Sequence, residues 1–145
     1  MLPAESDKWS GDIDAHSLFR ETNIRSALIQ MKAGKWKNAL GYLQAAETWP
    51  PNLGWGEPYF ADNRLTRFLI AYCSDRMNDK VQYEKSLSYI STYSNPDGET
   101  DPLENRLSSL VKDGNRNFKT ITETLISDQI KSREIGILKT FMTIL

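Results

Sequence analysis

GKWKNALGYLQAAETWPPNLGWGEPYF, residues 34 to 60, opens as a tight turn with the second helix of a helical hairpin and closes as a loop rich in proline and tryptophan. Glycine at Gly34, an aromatic at Trp36, small side chains at Ala39 and Ala46 and prolines at Pro50 and Pro51 punctuate a helix-turn-helix unit about 34 residues long. Upstream, Ile24, Ala27, Leu28 and Met31 recur at the spacing of one helix face, which predicts a helix over His16 to Lys32. Gly34 ends it, because a residue without a Cβ tolerates the left-handed conformation found just past many helix ends. Trp36, Ala39, Leu40, Leu43 and Ala46 then mark one face of a helix over Lys35 to Thr48. Two helices joined by so short a turn pack antiparallel.

Downstream, the loop from Trp49 to Ala61 holds three prolines and two glycines, which exclude a continuous helix. A third helix over Asp62 to Met77 carries Leu65, Phe68, Leu69, Tyr72 and Met77. After the turn at Asn78 and Asp79, a fourth carries Val81, Tyr83, Leu87, Ile90 and Tyr93. Asn95 to Gly98 break the chain again. Asp101, Pro102 and Glu104 then supply an acidic cap, a proline at the first helical position and a glutamate at the third, which together satisfy or avoid the first free amides. A fifth helix carries Leu103, Leu107, Leu110 and Val111 to Gly114, a sixth carries Phe118, Ile121 and Leu125, and a seventh carries Ile130, Ile135, Leu138 and Phe141. The expectation is an all-α chain of about seven helices with no strand, residues 1 to 14 being an extended lead-in and 15 to 145 one helical repeat domain. The turns at Gly34, Asn78 and Gly114 are 44 and 36 residues apart, the first interval lengthened by the proline loop.

These residues resemble the tetratricopeptide repeat, a helical hairpin that stacks into a short solenoid. The first unit matches at Ala27, Gly34, Trp36, Ala39, Ala46 and Pro51; the second at Ala71, Leu87 and Ile90, with Asn78 in the glycine position; the third keeps Gly114. From Asp12 to Gly114 the chain is also similar to the repeat-bearing C-terminal region of large bacterial proteins of unknown function, through AGKWKNALGYLQAAE and WPPNLGWGEPYF. That resemblance implies an upstream β-rich, carbohydrate-enzyme-like module, and it implies no catalytic residues.

Composition narrows the function classes. The 145 residues suffice for one domain that needs no staple of disulfides or metal. Eighteen basic and nineteen acidic residues give a net charge of −1 and stay mixed along the chain. A nucleic-acid partner, which needs a dense basic stripe, is not expected. The longest apolar runs, such as Phe68 to Tyr72, fall far short of the roughly 20 residues that span a bilayer, so no membrane partner is expected. The N-terminus lacks the basic start and apolar stretch of a secretory signal. A lone Cys73 fits a reducing compartment such as the cytoplasm.

No cluster specifies a reaction. Cys73 and the single histidine, His16, lie far apart in the helical pattern, and together they are too few for a zinc site. Acidic pairs such as Asp12 with Asp14 and Asp97 with Glu99 sit in polar contexts where ordinary solvated carboxylates are expected. No phosphate-binding glycine motif occurs. The chain is therefore expected to be no enzyme and to need no cofactor, and to act as a protein-protein interaction or assembly module with a protein or peptide partner. The proline loop offers the candidate binding residues Trp49, Asn52, Trp55 and Tyr59, whose flat faces and polar edges suit a peptide anchor or, as the alternative function, a carbohydrate. The final helix is apolar over much of its surface. Ile137, Phe141 and Leu145 are the candidate assembly surface, covered by the preceding hairpins, by a further segment or by a second copy in a homodimer.

Overall fold

The computed structural model describes the backbone of residues 4–48, 62–94 and 101–145, and side chains from Ser17 onward within those ranges. The described residues are all-α, with seven helices and no strand: α1 (Ala4–Lys32), α2 (Trp36–Ala46), α3 (Arg64–Arg76), α4 (Lys80–Thr92), α5 (Pro102–Lys112), α6 (Phe118–Ser127) and α7 (Ile135–Met142). One boundary departs from expectation. The segment read as an extended lead-in is helical from Ala4; it has no proline beyond Pro3 and places Glu5 and Asp7 in the first turn, where acidic residues favour helix.

Three turns share one device. Gly34, Asn78 and Gly114 all have positive φ, at 74°, 59° and 94°. At each, the residue's own amide bonds the carbonyl three back and the next amide bonds the carbonyl five back. These pairs are Gly34 to Met31 and Lys35 to Gln30, Asn78 to Asp75 and Asp79 to Ser74, and Gly114 to Val111 and Asn115 to Leu110. This double closure satisfies carbonyls that the helix end leaves open and reverses the chain within a few residues. It makes the hairpins α1/α2 and α3/α4 and joins α5 to α6.

The hairpins are stacked in chain order, α2 against α3 and α4 against α5, with α3 also touching α5. α3 is the centre: Leu65, Thr66, Phe68, Leu69, Ile70, Ala71, Cys73 and Ser74 are all buried. Its burial all round, rather than on one stripe, follows from having neighbours on every side. The predicted faces of α1 and α5 are buried as expected through Ile24, Ala27, Leu28 and Met31 and through Leu103, Leu107, Leu110 and Val111. Val81, the second residue of α4, is instead 70% exposed, because it lies one position off the Leu87 and Ile90 stripe. Trp36 is half-buried at the core's edge, standing edge-on to Tyr72 with ring centroids 5.7 Å apart. α7 packs on α6 and also on α1, so the last helix returns to the first. Ile130, expected inside the seventh helix, precedes α7 and is half-buried.

Candidate functional site

The return of α7 creates the most developed site among the described residues, a groove between α1 and α3, flanked by α6 and filled by α7. At its head Glu134 accepts a hydrogen bond from Arg20 of α1. Further along, Gly136 lies within reach of the Arg25 side chain, and Ile144 and Leu145 border the same cleft as Met31 and Lys32. α7 thus runs in the same direction as α1. In the middle, Phe141 meets Phe68 and Tyr72 edge-on, with centroids 5.8 and 5.1 Å apart, and Phe118 from α6 closes on the same two rings at 5.3 and 5.2 Å. The Phe68–Phe118 pair is tilted at 47°; the other three are edge-to-face, a geometry that contributes about 0.5–1.5 kcal/mol per pair beyond burial.

The head of the groove is a buried charge network. Arg64 is 3% exposed and donates from Nε and Nη2 to both oxygens of Asp62 at 3.0 and 2.7 Å, from Nη1 to Ser108 Oγ at 2.9 Å and from Nη2 to Asn105 Oδ1 at 2.9 Å. Its guanidinium also lies 4.2 Å from the Tyr93 ring centroid. The Ser108 hydroxyl in turn donates a hydrogen bond to the Ile90 carbonyl at 2.8 Å, so one arginine ties α3, α4 and α5. Arg20 adds α1 and α7, pairing with Glu134 and lying 3.6 Å from Glu104. Ser132 donates to Asp101, the N-cap of α5, at 3.0 Å and accepts from the Glu134 amide at 3.1 Å, fixing the approach to α7.

Glu104 was expected to complete a capping box. It turns inward instead, 2% exposed, with Oε2 lacking a hydrogen-bond partner. Burial, and then the facing Asp62 carboxylate, hold its pKa well above the ordinary range. Burial alone would raise Asp62 too, but hydrogen bonds from Arg64 outweigh it and lower that carboxyl. Three carboxyl groups, Asp62, Glu104 and Glu134, thus face two guanidiniums, and protonation of Glu104, which its raised pKa favours, makes the network neutral. Burying a third charged carboxylate beside two guanidiniums costs several kcal/mol, which favours the protonated form of Glu104.

Among the described residues no group of His, Cys, Asp and Glu side chains is arranged to hold a metal ion. Cys73 is fully buried, and burial pushes its thiol up to about 12.

The far end of the groove is open. A cleft of about 440 Å³ is lined by Lys32, Trp36, Tyr72, Arg76, Ile144 and Leu145 among others, with the Arg76 guanidinium 5.5 Å from the Trp36 ring centroid.

The expected site residues fall as follows. Trp49, Asn52, Trp55 and Tyr59 lie outside the described residues. Ile137 and Phe141, expected on an assembly surface, are 1% and 0% exposed inside the chain; the aromatic floor of α3 and α6 is the cover that their apolar character demanded. Leu145 is half-buried at the cleft. No sequence motif marks the charge network. Its signal is position: Arg20, Arg64 and Glu104 each stand one turn before a buried residue, Ile24, Phe68 and Leu107, and so continue an apolar stripe with a charge. Among the described residues no helix is long and apolar enough to cross a membrane.

Comparison with protein-family models, with curated proteins and with solved structures gives no match.

Proposed function

We propose that this chain is a non-enzymatic protein-protein interaction or assembly module of a larger bacterial protein, its hairpins stacked in the manner of tetratricopeptide repeats. The observation that carries this reading is the groove between α1 and α3, whose occupant is itself a helix: a surface able to seat Ile137, Leu138 and Phe141 at 0–1% exposure has the chemistry of helix recognition. The shared closure at Gly34, Asn78 and Gly114 supports the repeat character. The buried carboxylates support a structural role, since each is engaged by arginine and locked between helices rather than presented to a substrate.

The test is a pair of arrays, one of helical and extended peptides and one of glycans, probed with the intact chain. The reading predicts peptide ligands and no glycan signal. A glycan signal without peptide ligands contradicts it and favours a carbohydrate-accessory role.

A further inference from the structure

We infer that Glu104 and Asp62 share one proton, and that this proton is a pH-sensitive latch fastening the first turn of α5 to the start of α3. The helix end does not need the Glu104 side chain, because Asp101 already accepts from the Leu103 and Glu104 amides at 2.8 and 3.3 Å. Glu104 is therefore free to turn into the chain.

Charged and titratable groups face it there from several elements. Arg20 of α1 lies 3.6 Å from Oε1. Arg64 of α3 lies 4.0 Å from Oε2, and Asp62 stands two residues before it. Tyr93, the C-cap of α4, has its ring against the Arg64 guanidinium. Glu134, the N-cap of α7, pairs with Arg20. Beyond α6, Asp128 is engaged by the more exposed Arg106.

Both guanidiniums stand outside hydrogen-bond distance of Glu104 and direct N–H groups elsewhere. Arg64 donates to Asp62, Ser108 and Asn105, and Arg20 donates to Glu134. Oε2, buried, is left without a donor. As a carboxylate, Glu104 adds a third negative charge to two positive ones and buries an acceptor with nothing to accept. As an acid it becomes a donor instead, and the Asp62 carboxyl is within hydrogen-bond reach. An O–H···O⁻ bond is charge-assisted and stronger than a neutral one, whereas two carboxylates sharing a site disfavour each other's ionisation. One proton thus satisfies the orphaned oxygen and balances the charge.

That proton has a route to water. A polar pocket of about 90 Å³, bounded by Ser17, Arg20, Glu21, Glu134 and the exposed Arg133, reaches the Arg20 edge of the network. Once the proton has left, repulsion acts between the residue that leads into α3 and the first turn of α5. The latch is closed below the titration midpoint and loosened above it, and the titration belongs to the pair rather than to either residue.

Carbon-13 carboxyl shifts followed against pH in the full-length chain test this. The expected Asp62 trace has two inflections, its own at acid pH and a second at the midpoint of Glu104. Asp62→Asn is expected to lower the Glu104 midpoint by about one pH unit or more, since the coupling is gone. Hydrogen-exchange protection factors of α5 amides are expected to fall through the wild-type midpoint by more than those of α2. In Glu104→Gln, whose amide donates to Asp62 at every pH, they stay level over the same range.

A single Asp62 inflection, a Glu104 midpoint that Asp62→Asn leaves in place, or protection that falls equally in α2 and α5 overturns the proposal. So does an α5 decline that persists in Glu104→Gln. If Asp62→Asn fails to fold, the Asp62 trace of the unmodified chain decides alone.

Discussion

Phe141 of α7 stands nearly perpendicular to Tyr72 of α3, at 84° with ring centroids 5.1 Å apart, and is fully buried there. That contact joins the last helix to the central one. It converts an apolar terminus, which by its sequence could have been a surface for assembly, into part of the chain's own core.

Phe141→Ala is expected to cost about 3–5 kcal/mol, the range for emptying a buried aromatic site, and Phe141→Glu more, because it adds an unpaired buried charge. Urea denaturation followed by circular dichroism checks this. An unchanged midpoint for Phe141→Glu contradicts the placement of α7.

Arg64→Ala removes five side-chain hydrogen bonds at once and leaves the half-buried Asp62 without its bidentate partner. Breaking one side of a buried ion pair costs about 3–5 kcal/mol. Arg64→Lys is expected to recover little of it, since an ammonium cannot reproduce the forked geometry. Thermal melts of the two variants measure the difference.

The Glu104 carboxyl gives stability a pH dependence of definite sign. Its folded pKa lies above the ordinary 4.5, so the native state holds a proton that the unfolded chain releases. Its contribution is full below that ordinary value and is lost as pH rises through the folded one. Asp62, lowered in the fold, acts oppositely: its contribution is present above the ordinary carboxylate range and lost as pH falls through the depressed value. Glu104→Gln removes the slope that sets in just above 4.5 and keeps the acid-side one, while Cys73 and Tyr93, also raised by burial, keep a separate slope of their own in the alkaline range. Unfolding free energies measured from acid to neutral pH check both limbs, and a wild-type decline above 4.5 that survives unchanged in Glu104→Gln across that range refutes the assignment.

Cys73 is fully buried and its thiol is held near 12, so native protein is expected to resist thiol-modifying reagents and to react only as fast as it opens. Quantitative labelling within minutes in the absence of denaturant contradicts that burial.

Gly34 has a φ of 74°, and Gly34→Ala is expected to cost about 1–2 kcal/mol from the strain of a Cβ in the left-handed region. At Asn78, with a φ of 59°, Gly is expected to be tolerated. A melting comparison of both variants tests whether the turns share one mechanism.

Much of this architecture is legible in the sequence because two signals dominate it. Apolar spacing such as Ile24, Ala27, Leu28 and Met31 defines helix faces, and Gly34, Asn78 and Gly114 announce left-handed turns. The start of α1 is hidden in the sequence because residues 4–14 lack an apolar stripe, and helical pattern reading depends on one. The charge network is hidden for a different reason. Composition treats Arg64 and Glu104 as surface residues, and only their register with Phe68 and Leu107 marks them as interior. The course of α7 along α1 was not legible at all: hydrophobicity says that Phe141 needs cover, whereas which helix supplies it depends on packing between residues more than 60 positions apart.

The most direct test is a filtered nuclear Overhauser experiment on an equimolar mixture of isotope-labelled and unlabelled chains, read at the aromatic protons of Phe141. The account predicts contacts to Tyr72 and Phe68 within one chain. Contacts that appear only between labelled and unlabelled chains, or that are absent from a folded sample, contradict it.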